Sequence, residues 1–205
     1  MNKEEIIAFF DGLAESWDSD MIKSKEKIDK IFDVAGVKQG SVVLDVGCGT
    51  GVLITDYLNR KVEKCVAVDI SQKMIETAKT KFSEYDNIQF LCADAEQLDF
   101  VDEFDCAVIY NAFPHFVNKN LLFESLSQNL TPDGRLTVAH GMSREALIKH
   151  HSGRAEKVST ILPTTDEMEK LMQPYFDVDV KISTDEIYIV SGKNKKHSPK
   201  YGCEK

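Results

Sequence analysis

Residues 42–51 read Val42-Val43-Leu44-Asp45-Val46-Gly47-Cys48-Gly49-Thr50-Gly51, an apolar, β-branched run that ends in three alternate glycines. A strand that is apolar on both faces belongs inside a sheet covered on both sides. Glycines at its carboxyl end allow a tight turn and let a ligand approach bare backbone, where open α/β sheets bind their ligands. A helical pattern over residues 52–59 follows, so the segment predicts strand, glycine loop, helix and a nucleotide-like cofactor. The dinucleotide fingerprint G-x-G-x-x-G needs its third glycine at position 52, which is Val52. This makes an NAD-dependent oxidoreductase the weaker reading. No Lys-Ser or Lys-Thr follows the loop, so a Walker A site is excluded as well.

Outward from the loop, apolar runs at residues 65–68, 88–92, 106–110 and 135–139 alternate with helical patterns at 72–83 and 120–130. Such alternation predicts parallel strands joined by crossover helices. Pro132, Asp133 and Gly134 mark a turn before the fifth strand. Ser143 can cap a helix to His151, and Thr164 with Glu167 forms a capping-box pattern for another to Gln173. Alternating segments at 176–182 and 186–190 predict a terminal antiparallel hairpin, completing a doubly wound, mostly parallel α/β sheet of seven strands. Ahead of the sheet, Ile6, Phe9, Phe10, Leu13 and Trp17 recur at helical spacing, and a second amphipathic helix over 24–35 leads to Gly36. One domain over 1–192 is expected, with cap helices in 1–38 and acceptor-side helices in 140–173. The polar, basic tail 193–205 is expected to be disordered.

The net charge of −9, from 25 basic and 34 acidic residues, argues against a long phosphate-tracking surface and hence against nucleic acid as substrate. Five cysteines without a C-x-x-C pair fit neither a disulfide framework nor a standard zinc motif. No signal-peptide pattern and no membrane-length apolar run are visible, so a cytoplasmic protein without membrane insertion is expected, as monomer or homodimer.

Asp69 ends the second strand 20 residues after Gly49, the placement of a carboxylate that accepts from a ribose diol. A helix cap ahead of Ser71 is the plainer alternative. Asp94, after the third strand, stands where an adenine amino group can donate. Together, VLDVGCGTG, Asp69 and CADAEQL resemble the motifs of class I S-adenosylmethionine-dependent methyltransferases, particularly the group similar to ubiquinone and menaquinone biosynthesis methyltransferases. The resemblance covers about residues 31–139 and implies a Rossmann-like fold and S-adenosyl-L-methionine as cofactor. It further implies that Gly47, Gly49 and Gly51 frame the cofactor, that Asp45 lies near its amino acid moiety, that Asp69 binds ribose, and that Ile70 and Met74 flank adenine. Asp94 and Ala95 form the adenine-contact motif, and FFDGLAESWD is similar to the segment that closes over the cofactor.

An acceptor is expected at the carboxyl ends of the fourth and fifth strands, beside Asn111, Phe113, His115, Phe116 and His140. Asn111 is also expected to contact the cofactor. His115 and His140 are candidate bases. Phe9, Phe113, Phe116 and Trp17 are candidate walls, although core packing would account for each equally well. Four of the five histidines fall between 115 and 151, so a divalent metal on His115, His140 and His151 is a further alternative, with acid–base or hydrogen-bonding histidines preferred. The N-P-P-[YF] motif of enzymes that methylate amide or base nitrogens is absent at Asn111-Ala112-Phe113, and the short acceptor segment suggests a small molecule. A regulatory module that keeps the cofactor but has lost transfer is the competing reading from another class.

Overall fold

A computed structural model describes residues 1–19, 23–151 and 155–195, the side chain of His151 excepted. The strands are β1 (Val42–Val46), β2 (Lys64–Asp69), β3 (Ile88–Cys92), β4 (Phe104–Tyr110), β5 (Leu130–His140), β6 (Phe176–Ser183) and β7 (Tyr188–Asn194). They form one sheet in the order β3-β2-β1-β4-β5-β7-β6. The first five strands are parallel, and β7 is antiparallel to both β5 and β6. The strand order reverses between β1 and β4, the switch point at whose carboxyl ends open α/β sheets have their ligand crevice.

The helices are α1 (Lys3–Leu13), α2 (Lys25–Ala35), α3 (Ile54–Asn59), α4 (Gln72–Lys81), α5 (Lys119–Asn129), α6 (Arg144–His151) and α7 (Thr165–Met172). Alternate side chains of each strand serve opposite faces. In β4, Ala107 and Ile109 join the core under α5 and α7, while Cys106 and Val108 join the core under α2, α3 and α4. Burial on both faces explains why the parallel strands are continuously apolar. The exposed edge strand β6 instead alternates buried or half-buried residues with exposed ones.

Local signals set the helix ends. Ser24, Ser71, Asn118 and Thr164 each cap a helix N-terminus through the side chain, with a full capping box at Thr164–Glu167. Asn2 and Glu5 form a second box on α1. Gly36 ends α2 in the left-handed region, with φ 74°.

Three boundaries differ from the sequence reading. The predicted turn at 132–134 is a bulge inside β5: Leu130 pairs with Phe104 and Arg135 with Cys106, so the four residues between arch out of register. Helix α1 stops at Leu13, and Trp17 reaches the site from a turn. Strand β7 runs to Asn194, two residues into the expected tail, because the Asn194 side chain is buried and donates to the carbonyls of Ser127, Leu130 and Thr131. Residues 196–205 lie outside the described residues. Among the described residues no helix is long and apolar enough to cross a membrane.

Candidate cofactor and acceptor site

The glycine loop closes the crevice at its β1 side. Gly47, Gly49 and Gly51 all have positive φ, at 73°, 55° and 86°. A Cβ on Gly47 would lie 2.6 Å from that of Ala112, and one on Gly51 2.7 Å from the Phe82 ring, so both positions are sterically closed to other residues. The backbone N–H groups of Gly47 and Cys48 both donate to the Val68 carbonyl, at 2.8 and 3.0 Å, which fastens the loop to β2.

Asp69 completes that fastening. Its Oδ2 accepts from Gly49 N at 2.8 Å and its Oδ1 from Ser71 N at 2.9 Å, leaving each oxygen a second lone pair. Burial raises the Asp69 pKa against these backbone N–H groups. Such a carboxylate gains from further hydroxyl donors. The sequence alternatives for Asp69 meet here, since the helix cap proper is Ser71 while Asp69 braces the loop.

Asp45 is buried, and its Oδ2 has no hydrogen-bond partner. Burial, reinforced by the nearby Asp69 charge, pushes its carboxyl up to about 8; the Tyr57 hydroxyl opposes this without reaching full hydrogen-bond geometry. An orphaned buried acceptor and a cradle of bare glycine backbone fit a ligand that carries an ammonium and hydroxyl groups. Ile70 is half-buried beside them, Met74 is fully buried under α4, and Ala95 is buried in a short 3₁₀ turn, Ala95–Gln97.

Helix α1 and the turn after it lie across this cradle. Asp11 Oδ1 accepts from Ser71 Oγ at 2.5 Å and Lys73 N at 3.2 Å. Asp18 accepts from Thr50 Oγ1 at 2.6 Å and pairs with Lys81 at 2.7 Å. The Trp17 indole nitrogen sits 3.5 Å from where a Gly49 Cβ would be. Lys3 pairs with Asp94 at 2.5 Å and Glu96 at 2.6 Å, so Asp94 is an ion-pair partner of α1 as well as the cap of the Ala95–Gln97 turn. Spacing gave no sign of Asp11, Asp18, Lys3 or Glu96, because their partners are distant in sequence; the FFDGLAESWD resemblance alone pointed to this closure.

The acceptor side is built on the end of β4. Asn111 adopts a left-handed φ of 54°, its N–H donates to the Ala139 carbonyl and its Oδ1 accepts from Gly141 N at 3.0 Å, which locks the ends of β4 and β5 together. The 3₁₀ turn Phe113–His115 follows. Three of its neighbouring carbonyls are pinned: Lys119 donates to those of Phe113 and Phe116, and Thr160 donates to that of Pro114. Burial pushes the Lys119 ammonium down to about 8, with the Glu96 charge opposing.

The two candidate histidines have different surroundings. His115 is half-buried; its ring meets Phe10 edge to face, with centroids 4.9 Å apart, and its Nδ1 lies 2.8 Å from the Val158 carbonyl. A carbonyl only accepts, so Nδ1 carries the proton, and in the neutral ring Nε2 is the basic nitrogen. His140 is fully buried at the end of β5, where its ring and that of Tyr188 lie 6.1 Å apart in a T-shaped pair. Phe10 also contacts Phe9 and Trp17 edge-on, so α1 and the β4 loop share one aromatic wall. Phe113 is instead a core residue stacked on Phe123. Among the described residues no group of three or more His, Cys, Asp or Glu is arranged to hold a metal ion, and the His151 side chain lies outside them. Depressions elsewhere, along α2 and beside Arg144 and Leu171, are open and include none of the candidate site residues.

The sheet architecture agrees with the comparisons to known proteins. Residues 43–134 match a methyltransferase domain family. This segment carries a methyltransferase domain, and the chain is similar to S-adenosylmethionine-dependent methyltransferases in sequence and fold. A malonyl-[acyl-carrier protein] O-methyltransferase of Marinomonas sp. is 30% identical over 135 residues, 64% of this chain and 50% of that protein. The ubiquinone/menaquinone biosynthesis C-methyltransferase UbiE of Hahella chejuensis is 35% identical over 52% of this chain and 45% of its own length. The chain thus spans about half the length of the curated relatives it matches. Among solved structures, the N-methyltransferase NodS of Bradyrhizobium japonicum with S-adenosyl-L-homocysteine has a TM-score of 0.72 at 11% identity, covering 96% of this chain and all of that one. A chain from the Haloferax volcanii complex between the Trm112 methyltransferase activator and a methyltransferase has a TM-score of 0.79 at 17% identity, covering 94% and 99%. At these identities the likeness is one of fold.

Proposed function

We propose that this chain binds S-adenosyl-L-methionine in the β1–β4 crevice and transfers its methyl group to a small-molecule acceptor held against the His115 loop. The observation that carries this is Asp69, fixed by Gly49 and Ser71 with lone pairs to spare at the edge of a left-handed glycine loop. Gly47, Gly49 and Gly51 cradle the cofactor, Asp45 takes its ammonium, Asp69 its ribose hydroxyls, and Ile70, Met74, Asp94 and Ala95 surround the adenine. Asn111 borders both ligands.

The cofactor supplies an activated methyl, transferred by in-line displacement in which the acceptor lone pair forms the new bond and the S–CH₃ electron pair returns to sulfur. The chain contributes alignment and water exclusion. The aromatic wall of Phe10, Trp17 and Phe116 keeps the crevice dry. His115 Nε2, its tautomer set by Val158, takes the proton of an acceptor hydroxyl or amine. His140 is sealed from the crevice, and its part is to hold the end of β5 against Tyr188.

Titration calorimetry with S-adenosyl-L-methionine, S-adenosyl-L-homocysteine and NAD tests the assignment. Binding of the first two alone, lost in Asp69→Ala, is the expected result; NAD binding alone would overturn it. An acceptor screen that reads S-adenosyl-L-homocysteine release then separates transfer from mere cofactor retention.

A further inference from the structure

Glu96 is the second residue of the Ala95–Gln97 turn, and its side chain is only 2% exposed. Its two oxygens face different elements. Oε2 pairs with Lys3 Nζ, at the start of α1, at 2.6 Å. Oε1 accepts two backbone N–H groups, Val117 at 2.7 Å and Asn118 at 2.8 Å. Asn118 is the N-cap of α5, and Val117 directly follows His115 and Phe116. One buried carboxylate therefore bridges the helix that covers the cofactor crevice and the loop that presents the acceptor-side histidine.

A buried carboxylate is costly unless its charge is matched, and two amide donors satisfy it only in part. With Lys3 in place the ammonium completes its shell, and the 117–118 backbone is held at short hydrogen-bond distances. If α1 lifts, Glu96 loses its ion pair and is drawn toward solvent, away from the two amides. The same helix touches the loop a second time, at Phe10 on His115.

We propose that Glu96 is a positioning residue that makes placement of the His115 loop depend on closure of α1 over the cofactor crevice. The proposal rests on the methyltransferase reading for its meaning, though not for its test. In that setting the acceptor loop is ordered only when the cofactor is covered, which favours cofactor binding before acceptor.

Hydrogen exchange of the full chain, followed by mass spectrometry with and without S-adenosyl-L-homocysteine, decides it. Lys3→Met alters a partly exposed side chain at the far end of α1. It is expected to speed exchange at residues 3–13 and also, at least fivefold, at 113–119, with Lys3→Arg restoring both. Glu96→Gln is expected to do the same, and adding Lys3→Met to it is expected to change 113–119 no further. Acceleration confined to α1 in Lys3→Met, or additive effects in the double variant, would overturn the coupling. The Lys3 arm stands even if Glu96→Gln does not fold. Absence of S-adenosyl-L-homocysteine binding to the unmodified chain would remove the cofactor reading and leave the exchange result intact, so the two failures are distinguishable.

Discussion

The cofactor half and the acceptor half of the crevice are built on different principles. Around β1 and β2 the contacts are backbone ones: glycines with positive φ, N–H groups on the Val68 carbonyl, and a carboxylate that braces two main-chain amides. Around β4 and β5 side chains join segments far apart in sequence, as where Phe10 packs on the His115 ring and that ring reaches the Val158 carbonyl. A main-chain cradle depends on a few residue types in a fixed order. A side-chain wall can be assembled from many, which is how one fold serves many acceptors.

The largest expected effect lies on the backbone side. Gly47→Ala combines a left-handed φ with a 2.6 Å approach to Ala112, and should lower stability by about 2–3 kcal/mol. The cofactor Kd should rise on the order of 100-fold, about 2.7 kcal/mol. Urea melts and calorimetry check both, and near-normal values would break the contrast drawn above.

On the acceptor side His115→Ala should lower turnover roughly 100-fold or more while leaving cofactor affinity within a factor of two or so. His140→Ala should instead cost on the order of 2 kcal/mol of stability by emptying a buried site. Single-turnover rates beside thermal melts distinguish the two; equal effects on turnover would erase the difference assigned to their surroundings.

Asp45 sharpens the comparison through pH. With its folded pKa raised to about 8 from 3.8, the folded state keeps a proton that the unfolded chain releases. Its contribution to stability is therefore full below about pH 4 and is lost as pH rises through about 8. Asp45→Asn should flatten stability over that window. An ammonium beside Asp45 favours the carboxylate, so cofactor binding at pH 7 should release close to one proton, measurable by calorimetry in buffers of different ionisation enthalpy.

The smallest effect expected is at Asn2, whose loss by Asn2→Ala should cost α1 about 1 kcal/mol and weaken the cofactor only a few-fold, as equilibrium titration would read.

Legibility in the sequence follows the same division. The seven strands and the Thr164 cap are local patterns, and each stands where periodicity or spacing placed it, whereas the capping of α4 by Ser71 and the bracing of the glycine loop by Asp69 emerge only from the structure. The bulge at 131–134 was legible as a turn because Pro, Asp and Gly mark bent backbone, whether or not the strand continues around it. Glu96, Lys119 and Asp11 were not legible. Their partners are fixed by how α1 and α5 pack, and nothing in the neighbouring residues encodes that. His140 looked equivalent to His115 for a similar reason: both follow strand ends, and only the alternation of β5 sends His140 to the same side as Leu136 and Val138.

The close approach of Gly47 and Ala112 ties together two halves that otherwise look separable. Ala112 belongs to the loop that would have to change for a new acceptor to be accommodated, and its Cβ stands where the smallest side chain on Gly47 would have to go. Position 47 is thus kept bare twice over, by its own left-handed φ and by a neighbour on the opposite bank. Laboratory evolution that shifts the acceptor loop alters one of the two constraints on the cofactor loop at the same time.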